Sequence, residues 1–522
     1  MRIIRQALLL HWPARERNAL IGASLALFGS FLLNATWGVI ILPVQQTFGL
    51  GVDGEVLLRQ LPDIAGLLAV PLVGALGVGL SAFRLAAISA ACVLSGALLM
   101  TFAPAIGWLV IGMSAVSIGR SVVSVLAFSV VAASITDAGR RTSAFATLGA
   151  VVPTAYIIAP VLAGWLLGMG DWRWVGAVWI ASGLALLASM RWFRGEPAGP
   201  TSAARKEPWT PILAGITLVG IVQTLGAVLL HGALSFPALA WVAGTVVAAA
   251  IWFRLVRVLP NPSLDGTTLR TPGLLPILLV AMVAQCGDLW FYVGAVARFV
   301  HRLTSLEVSL ALLAAQIASL AGAGVAGWLI RRIGIRHAGA LLIGWFAASM
   351  WLSCTQTTAS PLWVTVSVLA VSAVAEIGSG VCVTQAIMSR APEGLDRQVS
   401  SYRSAATGVG NALALLLVAS TVSHAMGASM RRHAEESSGA TPEQVEALVE
   451  AVEDNKPTGM IVRELGLSPD RLEQLREVRR EIIMDGFRAH GVVSGTVLSI
   501  AAVGFWLVCR PSKYGGAAGQ QS

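Results

Sequence analysis

Long apolar stretches alternate with short polar or glycine-rich turns along almost the whole of this chain. A helix needs about 20 apolar residues to cross about 30 Å of hydrocarbon. Fourteen stretches are predicted to be such spans: 19–43, 59–80, 85–106, 108–134, 143–168, 173–193, 210–231, 236–258, 273–298, 306–330, 338–357, 361–389, 401–425 and 489–509. The breaks at 231–236 and 298–306 are the weakest, and a re-entrant pair over 210–258 would reduce the count to twelve.

The composition also indicates a protein that crosses a membrane many times. Of its 522 residues, 56% are hydrophobic and only 12% are charged, and the mean hydropathy is +0.75. A soluble chain of this length needs far more charge to cover its surface, so the composition indicates an all-helical polytopic membrane protein surrounded by a lipid bilayer. The five cysteines lie in apolar segments without C-x-x-C spacing, which argues against a metal site or a disulfide framework.

The basic residues of the loops set the predicted orientation. One side of the spans carries Arg2, Arg5, Arg15, Arg17, Arg84, Arg140, Arg141, Arg194, Lys206, Arg254, Arg257, Arg331, Arg332, Arg336, Arg390, Arg397 and Arg510. The other side carries Arg173, Arg298 and Arg302. Because cytoplasmic loops hold the excess of Arg and Lys, both termini (1–18 and 510–522) are predicted to be cytoplasmic. The expected location of the protein is the inner membrane of a bacterium. The net charge of +9 is therefore interpreted as loop charge, and no nucleic-acid partner is expected.

A charged insert at 428–488 interrupts the pattern between the last two spans. It holds 13 acidic and 9 basic residues, a net charge of −4 in a chain that is otherwise +13. T-P-E-Q (441–444) and S-P-D-R (468–471) are typical of helix starts, so two helices are predicted, the second continuing into the last span. The insert is expected outside the cytoplasm, either as a lid or docking site for a periplasmic or envelope partner, or as a solvated spacer.

Two stretches that lie 253 positions apart are similar to each other. G-A-L-G-V-G-L-S-A-F-R (74–84) follows the second span, and G-W-L-I-R-R-I-G-I-R (327–336) follows the tenth. Each places small residues at the cytoplasmic end of a helix and basic residues just beyond it. Duplicated halves with matched loops are typical of secondary transporters. The alternative is a pair of ordinary glycine-rich helix ends with positive-inside charge.

These two stretches resemble the G-x-L-a-D-R-x-G-R-R loop of the major facilitator superfamily. Further motifs follow in that family's order: L-N-A-T-W-G-V-I-I-L-P (33–43), G-A-V-V-P-T-A-Y-I-I-A-P-V-L-A-G (149–164), D-W-R-W-V (171–175), N-P-S-L-D (261–265) and M-D-G-F-R (484–488). The first resembles the L-D-x-T-I-V-N-V-A-L-P signature of the fourteen-helix drug:proton antiporter branch, and the second resembles the Gly/Pro signature of span 5. The chain is therefore identified as a divergent member of that branch over essentially its whole length.

The resemblance implies the major facilitator fold, with six-helix bundles at 19–193 and 273–509 and a linker with an extra helix pair at 194–272. It implies a flexible span-5 interface at Pro153, Ala159, Pro160 and Gly164. It also implies cytoplasmic gating loops that contain Gly74, Arg84, Arg331, Arg332, Gly334 and Arg336. The sequence departs from the family pattern at the loop Asp, which is Val78 in the first copy and Arg331 in the second, and at the span-1 Asp, which is Asn34.

Ionisable groups inside apolar spans are functional candidates, because a charge at mid-membrane costs about 2.5–3.5 kcal/mol. Four such groups occur, Asp63, Arg120, Asp288 and Glu376. A proton-coupled transporter needs a carboxylate that binds a proton on one side and releases it on the other, which the three acids can do. Arg120 remains charged and is predicted to be a charge partner or an anion contact. The structural alternatives are a pair of Asp63 with Arg59 and helix–helix contacts for the others.

Polar and aromatic residues within the spans are candidates for lining a central cavity: Asn34, Thr36, Trp37, Tyr156, Gln223, Gln285 and Gln385. As single residues they are equally compatible with helix packing. Asn34 can form hydrogen bonds but cannot carry a proton, so coupling must use another carboxylate.

The resemblance implies efflux of a hydrophobic or amphipathic small molecule, often a cationic drug, by an antiporter of the kind that confers multidrug resistance. The proton gradient is the expected driving force, and no cofactor is expected. The chain lacks a G-x-x-x-x-G-K-[ST] loop, which argues against ATP-driven transport, and no residue cluster suggests an enzyme. Two alternatives stay open: an uncoupled facilitator or exporter of an anionic metabolite or lipid, and a non-transporting receptor or scaffold acting through 428–488.

Overall fold

The computed structural model describes residues 12–49, 52–76, 79–194, 207–259, 262–264, 267–287, 290, 293–294, 296–301, 303, 305–436 and 469–510. Within these residues the regular structure is helical, without strands. The α-helices are α1 (Ala14–Ala35), α2 (Trp37–Phe48), α3 (Val52–Leu76), α4 (Ala82–Thr101), α5 (Ile106–Ser134), α6 (Ala138–Leu167), α7 (Gly176–Ser189), α8 (Trp209–His231), α9 (Phe236–Val258), α10 (Leu274–Val283), α11 (Ser305–Ser353), α12 (Leu362–Met388), α13 (Asp396–Glu436) and α14 (Pro469–Val508). Short 3₁₀ helices span Trp172–Val175, Met190–Phe193 and Thr268–Arg270, and a π-helix spans Val296–Val300.

Eleven of the described helical stretches are long and apolar enough to cross a membrane, and Leu61–Ala75 and Leu274–Val283 are shorter apolar helices. The prediction of an all-helical chain rich in apolar spans is therefore confirmed. One stretch, Leu310–Ser353, is 44 residues long and covers two predicted spans. At Gly334 φ is +76° and ψ is 160°, a conformation that glycine adopts without steric cost, so the chain turns there as a loop between two helices.

Hydrophobic cores divide the molecule by depth. Helices α3 and α5 end, and α4, α6 and α13 begin, at the same end of the molecule. We name it the arginine-rich end. One continuous core joins helices of both predicted bundles, from Ala19 and Phe145 to Ile343 and Phe505. A second core contains only residues between 32 and 179, and a third only residues between 293 and 498. The bundles therefore share a core over one part of their depth and have separate cores over another.

The extra helix pair packs against both bundles. A Cβ atom on Gly215 of α8 would lie 3.1 Å from Leu68 Cα of α3, and one on Gly226 would lie 3.2 Å from Leu416 Cδ2 of α13. The second helix of the pair, α9, contacts α8 and exposes many of its apolar side chains. Helices α8 and α9 are each 23 residues long and form a helical hairpin, and each contains a stretch that is long and apolar enough to cross a membrane.

The charged insert is described only in part. Helix α13 runs without interruption from the thirteenth predicted span to Glu436, and α14 begins at Pro469 and continues through the last span to Val508. The predicted continuation of the second insert helix into the membrane is thus present. The helix predicted to start at T-P-E-Q (441–444) lies outside the described residues, as does the whole of 437–468.

Candidate functional site

The first span is divided into α1 and α2 at Thr36, next to the candidate Asn34. The Thr36 hydroxyl donates to Leu33 O (2.7 Å) and accepts a hydrogen bond from Trp179 Nε1 of α7 (2.9 Å). Thr36 is fully buried at this junction. A second tryptophan, Trp172 of the D-W-R-W-V motif, donates to Thr47 Oγ1 at the other end of α2 (3.0 Å). These contacts fix the backbone on either side of α2, and therefore the position of Asn34.

Helices α3 and α5 approach each other closely one helical turn after the candidate acid Asp63. Ser121 Oγ donates to Gly66 O (2.9 Å), and a side chain on Gly66 would collide with Ser117. The glycine therefore permits the approach. Asp63 precedes Gly66 by three residues and Arg120 precedes Ser121 by one, so the same contact brings the carboxylate and the guanidinium together.

Four of the candidates form one hydrogen-bonded chain across four helices. Tyr156 Oη accepts from Asn34 Nδ2 (2.7 Å), and Asn34 Oδ1 accepts from Arg120 Nη1 (2.8 Å). Arg120 Nη2 lies 3.3 Å from Asp63 Oδ1 and forms an ion pair with it. We name Asp63, Arg120, Asn34 and Tyr156 the polar network.

The polar network is accessible at its acidic end. The Asp63 side chain is 58% exposed and that of Arg120 is 28% exposed, whereas Asn34 and Tyr156 are half-buried. An exposed ion pair is stabilised only weakly, because the surrounding dielectric constant is high. A proton on Asp63 would remove the attraction to Arg120, whose guanidinium stays charged. The polar network therefore presents an accessible carboxylate beside a guanidinium.

The second bundle holds another candidate acid. Trp290 Nε1 donates to Glu376 Oε2 (2.9 Å), and Glu376 is half-buried within α12. Asp288, the third candidate, lies outside the described residues. In the part of the chain that is described, no group of three His, Cys, Asp or Glu side chains could hold a metal ion.

The remaining cavity candidates are scattered. Trp37 Nε1 is buried without a hydrogen-bond partner in the described part of the chain. Gln223 of α8 is half-buried, and Gln285 lies beyond the end of α10, against Gly410 of α13. Gln385 Nε2 donates to Thr142 Oγ1 (2.7 Å) and so joins α12 to α6, with its Oε1 atom buried and unpaired in the structure. None of the four is bonded to the polar network.

The motif of span 5 lies in α6. Pro153 and Pro160 are inside the helix, Ala159 is buried in the core of the first bundle, and Gly164 is exposed. The first residue of the motif, Gly149, faces the second bundle, since a Cβ atom there would lie 2.6 Å from Val381 Cγ2. The motif thus contributes one surface to the contact between the bundles.

The two loop motifs lie in equivalent contacts. Gly74 in α3 touches Ser401 of α13 so closely that a Cβ atom would collide with it, and a Cβ atom on Gly327 in α11 would lie 3.5 Å from Ala146 Cβ of α6. Arg84, Arg331 and Arg332 are exposed. Arg336 Nε donates to Trp506 O (2.9 Å), and its guanidinium stacks on the Trp506 ring. Val78, which replaces the family's loop Asp, lies outside the described residues.

Serines of α13 form hydrogen bonds between the bundles at the arginine-rich end. Ser400 Oγ donates to Val125 O and Ser401 Oγ to Val70 O (2.9 Å each), and Ser404 Oγ lies 2.9 Å from Ser124 Oγ. We name Ser400, Ser401 and Ser404 the interface serines. They join the second bundle to α3 and α5 of the first at this end of the molecule.

Arg403, between the interface serines, is a buried arginine that the sequence analysis did not single out. It contacts Ser124, Thr384 and Ser404 and stacks on Phe128. The available signal was Q-V-S-S-Y-R-S (398–404), in which a charge and four hydroxyl groups lie around the start of a predicted span.

Comparisons with known proteins give one family and several similar folds. A bacterial homologue of the iron transporter ferroportin, solved in an outward-facing state with soaked iron, has 13% sequence identity and a TM-score of 0.54, over 94% of this chain and 99% of that one. The human organic anion transporter MFSD10 (TETRAN) has 14% identity and a TM-score of 0.58, over 78% and 93%. No curated protein sequence matches. The family model of the Major Facilitator Superfamily matches residues 19–415, which is most of the sequence, and the chain therefore belongs to that family.

Proposed function

We propose that the chain is a proton-coupled antiporter of fourteen spans that exports a hydrophobic or amphipathic small molecule. The ion pair between Asp63 and Arg120 carries the proposal, because it places a carboxylate inside an apolar helix, accessible and beside a fixed positive charge. Both termini are assigned to the cytoplasm, so that the arginine-rich end faces inward.

The proposed cycle uses the ion pair as its proton switch. In the arrangement described, the bundles are joined at the arginine-rich end, so Asp63 is reached from the opposite side. A proton bound to Asp63 would release Arg120, which keeps its hydrogen bond to Asn34 Oδ1. Rocking of the bundles would then present Asp63 to the cytoplasm, where it loses the proton and the ion pair forms again. Glu376, bonded to Trp290, is the second candidate for coupling.

Inverted membrane vesicles test this function. An imposed pH gradient should drive ethidium into vesicles that contain the wild-type protein, and Asp63→Asn should reduce the gradient-driven rate by at least about tenfold, as expected when a coupling charge is lost. Glu376→Gln is measured in parallel. Asp137→Asn is the matched control, because Asp137 caps α6 outside the apolar segment and asparagine caps a helix as well.

Two results would contradict the proposal. If no pH gradient moves ethidium in the wild type, the chain is not a proton antiporter for cationic dyes. If Asp63→Asn and Glu376→Gln both transport at the wild-type rate, neither carboxylate couples transport to protons.

A further inference from the structure

Arg403 occupies an unusual environment in α13. It follows the start of that helix at Asp396 by seven residues, and its side chain is 7% exposed. Nη2 donates to Ser124 Oγ (3.0 Å) and Ser404 Oγ (3.3 Å), and Nη1 to Thr384 Oγ1 (3.4 Å). The guanidinium carbon lies 3.8 Å from the centroid of the Phe128 ring. The charge is therefore enclosed by three hydroxyls and an aromatic face.

These contacts leave the positive charge uncompensated. Nε is buried and has no hydrogen-bond partner in the described part of the chain, and each polar contact named above is a neutral hydroxyl. Two other arginines have acidic partners, since Arg120 pairs with Asp63 and Arg140 Nε lies 2.8 Å from Glu16 Oε2. Removing an ion from water without a counter-ion costs several kcal/mol, and neither hydroxyls nor a ring offset it fully. In the arrangement described, which is closed at the arginine-rich end, the contacts named above therefore give the Arg403 guanidinium no counter-ion.

The position of Arg403 connects it with the polar network. Its partners Ser124 and Phe128 follow Arg120 in α5 by four and eight residues, so all three lie along one face of that helix. Arg403 belongs to the other bundle and meets this face nearer to the arginine-rich end. Separation of the bundles there would remove the contacts of Arg403 with Ser124 and Phe128 and expose its guanidinium along the face that leads to Arg120.

We propose that Arg403 is an anion-binding site for a carboxylate or phosphate group, completed when the arginine-rich end opens. A guanidinium can bind either group with two parallel hydrogen bonds, which its present hydroxyl partners cannot supply. A ligand that binds only the open arrangement shifts the population toward it. The inference rests on the alternating access proposed above, and it adds a molecule or lipid with an acidic group as a ligand of the open arrangement.

Cysteine accessibility tests the site. In a chain whose five cysteines are replaced, Ser400→Cys places a thiol at a side chain that is fully buried in the closed arrangement. The purified protein is reacted with N-ethylmaleimide, a neutral reagent, in sodium gluconate and after addition of benzoate or inorganic phosphate. Benzoate or phosphate should raise the rate of reaction about tenfold by shifting the population to the open arrangement. Arg403→Gln should abolish this increase, and Arg403→Lys should retain part of it because it keeps the charge.

Arg191→Gln is the matched control, since Arg191 also stacks on an aromatic ring (3.8 Å, Trp192) but is exposed and belongs to one bundle only. It should respond to the anions as the wild type does. Nanodiscs of phosphatidylcholine with and without phosphatidylglycerol identify the source of the anion. An increase with phosphatidylglycerol alone supports a lipid headgroup as the ligand, and an increase with dissolved phosphate supports a soluble one.

Three results would overturn the proposal: no effect of benzoate, phosphate and phosphatidylglycerol on the rate, an undiminished effect in Arg403→Gln, or an equal loss in Arg191→Gln. The reaction needs no pH gradient. It therefore separates a failure of this site from a failure of proton coupling, which the vesicle experiment with Asp63→Asn measures.

Discussion

The amide of Asn34 does something that a carboxylate in the same place could not do. It donates through Nδ2 to Tyr156 and accepts through Oδ1 from Arg120, so one neutral side chain joins a hydroxyl to a cation. A carboxylate has only acceptors, so Tyr156 would have to become the donor of their hydrogen bond. The substitution of the family's acid thus leaves Arg120 with one acid, Asp63, among the residues of the polar network.

Asn34→Asp should change the pH dependence of transport. The new carboxylate would lie where Oδ1 is now, 2.8 Å from Arg120 Nη1, and would compete with Asp63, whose distance from Arg120 is 3.3 Å. Two carboxylates that share one cation repel each other, so the first proton that the pair takes up binds more tightly than a proton on a single carboxylate would. We expect the pH of half-maximal ethidium transport to rise by about one unit, measured in vesicles over pH 5 to 9.

Asn411→Asp is the control for this change, because Asn411 is an asparagine of α13 that is exposed and lies outside the polar network. An unchanged pH profile in Asn34→Asp, or the same shift in both variants, would show that Asn34 does not adjoin the coupling carboxylate.

Sequence reasoning singled out the members of the polar network and proposed Arg120 as a charge partner or an anion contact, but it did not say which acid Arg120 pairs with. Asp63 and Arg120 stood out because charges are expensive in apolar spans, and Asn34 because it replaces an acid of the family motif. The sequence offered Arg59 as a partner for Asp63, since neighbours in the same helix are all that periodicity can reveal. Arg403 was missed because it falls at the predicted start of a span, where a loop arginine and a buried one have the same local pattern.

At the scale of helices, glycines decide how closely the two bundles meet. Gly74 of α3 faces Ser401 of α13, and Gly327 of α11 faces Ala146 of α6, so the duplicated motifs contribute related surfaces. The sequence predicted the helices well because apolar length and loop charge are local properties. It predicted that the second insert helix continues into the last span, as α14 does, but not that α13 extends to Glu436, because polar helical residues beyond a span lack a boundary signal.

Gly74→Ala should weaken the closed end. The added methyl group would collide with the Ser401 side chain, and overpacking of this kind costs about 1–3 kcal/mol. Helices α3 and α13 should then separate, and the hydrogen bond from Ser401 to Val70 should lengthen. The reaction of Ser400→Cys with N-ethylmaleimide, without added anions, should become faster by about tenfold for each 1.4 kcal/mol lost.

Two further variants make this test specific. Gly244→Ala is the control, because nothing lies within 4 Å of a Cβ atom on Gly244 of α9, and it should leave the reaction rate unchanged. Ser401→Gly combined with Gly74→Ala removes the collision and should restore slow reaction in part. Wild-type reactivity in Gly74→Ala would show that α3 and α13 do not hold this end closed.

At the scale of the whole molecule, the packing defines one closed and one separated region. A single hydrophobic core joins the bundles, and the interface serines add hydrogen bonds from Ser400 and Ser401 to backbone carbonyls of α5 and α3. Hydroxyl-to-carbonyl bonds contribute about 1 kcal/mol each, less than a buried ion pair costs to break. This part of the closure is therefore made of bonds between neutral groups, each of which costs little to break, and that suits a gate that must open in every cycle.

A disulfide across this closure should stop transport reversibly. Ser124→Cys with Ser404→Cys, in the chain without its native cysteines, places two thiols where hydroxyl oxygens are 2.9 Å apart on opposite bundles. Oxidation should join α5 to α13, prevent the arginine-rich end from opening, and reduce ethidium transport to background. Dithiothreitol should restore the rate measured before oxidation.

Thr224→Cys with Thr245→Cys is the matched control, because those hydroxyls are 3.2 Å apart within the extra helix pair and joining them fixes no contact between the bundles. Transport at the unoxidised rate by the fully cross-linked Ser124–Ser404 pair would mean that the bundles do not separate at this end, and alternating access by rocking would have to be abandoned.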